Sequence, residues 1–204
     1  MLLPPRKTIP STFSSLAALG LFLCGVSSAN AFTTVVIDAG HGGEDPGSVY
    51  GVFEKDLTLD LALRIEQLLK ERGINVVLTR REDVYVELGE RAAIANKYPD
   101  TIFISLHFNA HPDKSISGIE TYYMSPEGQK LGQMVQSQLT RKVNTKNRGV
   151  KKESLKVLRV TQCTAILIEG GFLSNRWENQ RCSARWYRQI LAEEIVAGIM
   201  RYRS

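Results

Sequence analysis

Four residues in this 204-residue chain have side chains suited to metal-assisted hydrolysis: His41, Glu54, His107 and Glu169. Two imidazoles and one carboxylate make a catalytic zinc set, with a position left for water or substrate. A further carboxylate beside that set can act as base for the attacking water. Glu169 follows Ile166-Leu167-Ile168 and precedes Gly170-Gly171. An acid after a buried apolar strand is costly unless something uses it. His41 lies in Ala39-Gly40-His41-Gly42-Gly43, and His107 follows the apolar run Ile102-Phe103-Ile104. Glu54 opens a helical pattern, where the helix dipole alone would favour an acid. Asp38, Glu44 and Asp45 lie near His41 in sequence and are rival carboxylates that spacing does not exclude. Asn109 and His111 are candidate substrate-binding residues. His111 is four residues after His107, but Pro112 makes this a loop, so a shared helix face is not expected.

These groups need elements that bring them together. Residues 33–38 read as a buried strand through Val35-Val36-Ile37. Residues 54–71 read as a helix with Leu57, Leu61, Ile65 and Leu68 on one stripe, stopped by Gly73. A strand at 75–79, a helix at 87–97 with Leu88, Ala92 and Ala95 inward, and a strand at 101–106 follow. Then come a strand at 118–124, a helix at 127–143 and short strands at 155–158 and 165–168. A closing helix spans 184–202, and 170–175 reads as a turn that sets the reach of Glu169. This alternation predicts a single α/β domain: a mostly parallel, twisted sheet of about six strands flanked by helices. In such a sheet the strand ends share one rim, where His41, His107 and Glu169 can converge.

Residues 1–31 read differently. Arg6 and Lys7 precede an apolar run over 16–26, and Ala29-Asn30-Ala31 has the form of a cleavage site. The expectation is a secretory signal peptide over 1–31 and a catalytic domain over 32–204. The run is too short for a comfortable membrane span. Loss of Arg6 and Lys7 lowers the net charge from +5 to +3, which does not suit a nucleic-acid binder. Export makes a disulfide permissible, and pairing of Cys163 with Cys182 is geometrically conceivable.

The stretches Val36-Ile37-Asp38-Ala39-Gly40-His41-Gly42-Gly43-Glu44-Asp45-Pro46-Gly47, Glu54-Lys55-Asp56-Leu57, Leu78-Thr79-Arg80, Arg91 with Ala95-Asn96, Ser105-Leu106-His107-Phe108-Asn109-Ala110 and Ile168-Glu169-Gly170-Gly171-Phe172-Leu173-Ser174-Asn175 together resemble the zinc-dependent N-acetylmuramoyl-L-alanine amidases of the amidase_3 type. They occur in family order across residues 33–203. The resemblance implies that His41, Glu54 and His107 bind one Zn2+ and that Glu169 is the catalytic carboxylate. It thereby favours Glu54 over Glu44 and Asp45. Phe108 stands where the family often has a small residue, and Gly171 where Thr is common. The implied substrate is peptidoglycan, cut between the lactyl group of N-acetylmuramic acid and L-alanine during wall remodelling or cell separation. The implied setting is the periplasm or cell envelope. A monomer is expected. An activator protein is possible, although no autoinhibitory insertion is visible between His107 and the helix at 127. The same residues also admit a zinc carboxypeptidase or endopeptidase acting on stem peptides, or a non-catalytic wall-binding module.

Overall fold

The computed structural model describes Met1 and residues 31–204. The leader expected over 1–31 therefore lies, apart from those two end residues, outside the described part. Six strands form one sheet: β1 (Thr34–Ala39), β2 (Asn75–Leu78), β3 (Thr101–Asn109), β4 (Ile119–Tyr123), β5 (Asn147–Lys152) and β6 (Thr164–Phe172), in the order β2-β1-β3-β6-β4-β5. Every pairing is parallel except that of β4 with β6. The helices are α1 (Glu54–Lys70), α2 (Leu88–Asn96), α3 (Pro126–Lys142), α4 (Lys156–Arg159), α5 (Arg176–Ser183) and α6 (Arg185–Arg203).

Side-chain alternation along the strands divides the sheet into two unequal faces. Val35, Ile37, Ile102, Ile104, Ile166 and Ile168 pack in the larger core with Leu61 and Ile65 of α1, Leu131 and Val135 of α3, and Leu191 and Ile195 of α6. Val36, Phe103, Ala165 and Leu167 face the other way, into a smaller core with Ala95 of α2 and Val157 and Leu158 of α4. Those two helices have 9 and 4 residues. They are too short to cover the strands' whole length at 1.5 Å per residue. His107 and Glu169 continue the alternation that places Phe103 and Leu167 on this second face, beyond the part those helices cover.

Several boundaries differ from the sequence reading. β3 and β6 run on to Asn109 and Phe172, so His107 and Glu169 sit within strands and not at their ends. Gly170 and Gly171 belong to β6; the expected turn begins only after Phe172. Residues 155–158, expected as a strand, fall mostly in α4, because Val157 and Leu158 turn inward side by side. The edge strand is instead the polar segment Asn147–Lys152, which has little apolar pattern to reveal it. α5 was also not expected; Asn175 caps it by accepting from Trp177 and Glu178 N–H. In α1 the stripe ends on buried Leu69 and not Leu68, and in α2 Leu88 is exposed. Cys163 and Cys182 are both free.

A buried polar frame supports the turn after β1. Asp38 accepts from Thr79 Oγ1 (2.8 Å), Ser105 Oγ (2.7 Å) and Arg91 Nη1 (2.8 Å). Arg91 also donates to the carbonyls of Ala39, His41 and Val86, and Arg80 donates to those of Ala39 and Gly40. With both arginines and Asp38 at most 3% exposed, removing one partner leaves a buried charge. Arg91→Met is therefore expected to destabilise the domain by about 3–5 kcal/mol. Urea unfolding measures this; a loss below about 1 kcal/mol would show the frame to be dispensable.

Candidate active site

His41, Glu54 and His107 meet at the sheet's carboxyl edge. Glu54 Oε1 lies 3.0 Å from His41 Nε2 and 3.0 Å from His107 Nδ1, and the two ring nitrogens are 3.1 Å apart. Phe108 N–H donates to the same Oε1 at 2.9 Å. The three offered donor atoms lie within 4.8 Å of one another, so this group could hold a metal ion. Two imidazole nitrogens and a carboxylate oxygen suit zinc better than the all-oxygen sets preferred by calcium or magnesium.

Local backbone explains how the three converge. His41 has φ +61°, a left-handed conformation rare for a residue with a side chain, and it is held there by the Arg91 bond to its carbonyl. Its outer nitrogen Nδ1 bonds Asp45 Oδ2 at 2.8 Å, which leaves Nε2 facing Glu54. Glu54 is the first residue of α1 and is 5% exposed. Two glycines make room. A Cβ on Gly40 would stand 2.4 Å from the His107 ring, and one on Gly47 would meet both Glu54 and His41 at 2.7–2.8 Å. Gly47 also has φ +71°.

The electrostatics follow from this geometry. Burial pushes the Glu54 carboxyl up, but hydrogen bonds from His107 and His41 outweigh it and bring the pKa down to about 2. Burial pulls the His41 imidazole down, yet Glu54 and Asp45 outweigh it and leave it above its usual value.

Glu169 is the cross-strand partner of His107 in β3 and of Glu120 in β4. Its Oε2 is shut off from solvent and has no hydrogen-bond partner among the described residues. Burial, followed by the charges of Glu54 and Glu120, raises its pKa well above the ordinary carboxylate value. Such an acid, strongly perturbed beside a metal-competent cluster, is suited to proton transfer.

The remaining sequence candidates are placed as follows. Asn109 Nδ2 donates to Glu120 Oε1 at 2.8 Å, and its Oδ1 accepts from Ala110 N–H. His111 lies in the exposed loop after β3, where its Nδ1 accepts from Asp113 N–H. Of the rival acids, Asp38 belongs to the buried frame, Glu44 is exposed and Asp45 orients His41. Sequence reasoning missed the role of Asp45 and missed Glu120 altogether. Glu120 alternates with apolar Ile119 and buried Thr121, a pattern that could have flagged it as facing the site.

The family described as N-acetylmuramoyl-L-alanine amidase, Amidase_3, matches residues 35–201, most of the chain. The chain belongs to that family. It is 39% identical over 198 residues to the uncharacterized protein YqiI of Bacillus subtilis, spanning 92% of this chain and 96% of that one. It is 32% identical over 175 residues to the probable cell wall amidase LytH of Staphylococcus epidermidis. That match covers 84% of this chain but only 58% of LytH, so the chain spans little more than half of that relative. The catalytic domain of CwlV, an N-acetylmuramoyl-L-alanine amidase from Paenibacillus polymyxa, superposes with a TM-score of 0.81 at 32% identity, covering 84% of this chain and 98% of that domain. This amidase-family domain thus has the architecture of a solved amidase catalytic domain.

Proposed function

We propose that the domain is a zinc-dependent N-acetylmuramoyl-L-alanine amidase acting on peptidoglycan outside the cytoplasm. The observation that carries this reading is the Glu169 carboxylate, whose Oε2 has no hydrogen-bond partner among the described residues, next to His107 in register and near Glu54. His41 Nε2, His107 Nδ1 and the Glu54 carboxylate would hold the ion. A zinc ion held there would supply Lewis-acid polarisation of a carbonyl and a water that is nucleophilic near neutral pH. Glu169 takes the proton of the attacking water and returns it to the nitrogen of the leaving L-alanine. Asp45 fixes the His41 tautomer and ring orientation. Asn109 and His111 line the approach, although Asn109 acts first on Glu120.

Asp45→Ala is expected to weaken zinc binding about 10- to 100-fold. Competition against a chromogenic chelator reads this directly; unchanged affinity would remove Asp45 from the site.

The boundary proposed at residue 32 is supported by Phe32. It is 3% exposed and stacks on Tyr202 at 6.5 Å between ring centroids, so Phe32 belongs to the core among the described residues. Export with cleavage after Ala31 follows from the sequence reading. No helix among the described residues is long and apolar enough to cross a membrane. Between β3 and β4 only residues 110–118 intervene, with no helix among them. This supports an enzyme that is not inhibited by its own chain. Activity only after adding a partner protein would contradict that.

Mass spectrometry of digested muropeptides, with and without chelator, tests the reaction. Release of intact stem peptides is the expected result. Shortened stems still joined to muramic acid would point to a peptidase. Binding to wall material without any cleavage would point to a binding module.

A further inference from the structure

The turn that carries His41 is gripped from outside by a loop that lies beyond the metal-competent cluster. Residues 42–45 form a tight hairpin: Gly42 N–H donates to the Asp45 carbonyl at 3.0 Å, and Asp45 N–H donates to the Gly42 carbonyl at 3.1 Å. One end of the hairpin joins His41, and the other is Asp45, whose carboxylate bonds His41 Nδ1. Gly43 follows the first of these ends, and both of its backbone polar groups are taken. Its N–H donates to Asp83 Oδ1 at 2.7 Å, and its carbonyl accepts from Lys55 Nζ at 2.8 Å. Lys55 Nζ also donates to Asp83 Oδ2 at 2.6 Å, which closes the ring. Lys55 directly follows Glu54, so one half of this clasp is tied to a second member of the cluster. Asp83 comes from the exposed loop 81–85 between β2 and α2. That loop lies against the hairpin: a Cβ on Gly42 would stand 2.2 Å from the Val84 carbonyl oxygen, and one on Gly43 would stand 2.6 Å from Tyr85 N.

We infer that loop 81–85 is a positioning element for the proposed zinc ligand His41, acting through the Lys55–Asp83 clasp on Gly43, and that it sets how tightly the site retains its ion. The inference rests on the zinc reading above. His41 needs such a hold because its left-handed φ of +61° is costly for a residue with a side chain. The Arg91 bond fixes the His41 carbonyl, and the clasp fixes the hairpin two residues further on. Donors already held in place bind an ion more tightly, since ordering them afterwards subtracts from the affinity. A lone surface ion pair adds little. This one is joined to two backbone hydrogen bonds, so its loss releases the hairpin. Arg80 is a second cation facing Asp83, but its guanidinium is committed to the carbonyls of Ala39, Gly40, Lys55 and Glu82. Of the other acids nearby, Asp45 is bound to His41 and Asp56 faces Arg80. The Lys55 and Asp83 side chains are 14% and 51% exposed, so dissolved salt reaches the pair and screens it.

Zinc competition against a chromogenic chelator, and stopped-flow release of zinc into excess chelator, test this without any substrate. Asp83→Ala is expected to weaken zinc affinity about tenfold, the lower end for residues that orient a ligand from outside, with the loss mainly in faster release. Asp83→Asn keeps an oxygen for the Gly43 N–H and loses the pair with Lys55, so it should fall between Asp83→Ala and the wild type. The wild-type advantage over Asp83→Asn should shrink as salt rises from about 0.05 to about 0.5 M, where screening shortens to a few Å. Exposed Glu82→Ala, one residue away on the same loop, is the control and should keep wild-type affinity. Thermal melts in chelator check the fold; if Asp83→Ala melts early, Asp83→Asn decides. In wall-cleavage assays, activity lost by Asp83→Ala should return as free zinc is raised. Wild-type affinity in both Asp83 variants, or an equal loss in Glu82→Ala, overturns the positioning role. Zinc retention that depends on Asp83, without any cleavage of peptidoglycan, would uphold that role and refute the amidase reading.

Discussion

Glu169→Gln is expected to lower kcat on peptidoglycan about 10²- to 10⁴-fold, the usual contribution of a positioned proton carrier. The substitution keeps shape and removes the charge, so zinc content should remain at one equivalent. The same change should stabilise the metal-free protein. The gain comes from removing an ionisable group whose charged form burial, Glu54 and Glu120 all oppose, since the Gln amide stays neutral. A gain of even 1 kcal/mol corresponds to roughly 2–4 °C in Tm for a domain of this size. The effect should depend on pH. Folding raises the Glu169 pKa above its ordinary value of 4.5, through burial and then through Glu54 and Glu120. The folded, metal-free protein therefore holds a proton that the unfolded chain releases above that pH. Stability contributed by the protonated group is complete below about 4.5 and is lost as pH rises through the folded pKa. Melts in chelator should show the gap between variant and wild type widening from pH 5 to pH 8. A variant with wild-type activity would end the assignment of Glu169; a pH-independent gap would show that its burial is relieved in solution.

Removing zinc is expected to reduce hydrolysis to background, with activity restored by adding zinc back. Far-UV circular dichroism should stay nearly unchanged, because the two apolar cores are built without the metal. At zinc about a thousandfold above Kd, binding adds about 4 kcal/mol, a shift on the order of 10 °C in Tm. The affinity itself should weaken as pH falls through the raised His41 pKa, since a proton on that imidazole competes with the ion. Full activity in excess chelator, with less than one equivalent of metal bound, would leave the His41–Glu54–His107 cluster without its proposed role.

How far the sequence discloses this arrangement depends on the residue. β1, β3 and β6 are read easily because continuous branched apolar runs have few alternatives in a sheet. Their ends are read poorly. His107 and Glu169 interrupt the apolar pattern, so each strand seems to stop where it meets the site; cross-strand pairing carries both strands onward. β5 is hidden for the opposite reason. Arg148, Lys151 and Lys152 make it look like a loop, and it becomes a strand through its ladder to β4. At the site, His41, His107 and Glu169 stand out as reactive types beside apolar runs. Glu54 does not, since a helix's first turn attracts acids anyway, and only the ordered family motifs separate it from Glu44 and Asp45. The work of Asp45 and Glu120 is invisible in one dimension, because each acts through a side chain brought beside it by folding.

The short cover that α2 and α4 give to the second sheet face has a consequence for how this domain could meet a polymer. A substrate threaded into a deep pocket must have a free end. A cross-linked mesh offers few, and its strands are much longer than the protein. Reactive groups on a face where the helices stop short, with the His41 and His107 side chains 22% and 18% exposed, can meet the middle of such a strand from the side. No free end has to be unthreaded when the bond is cut.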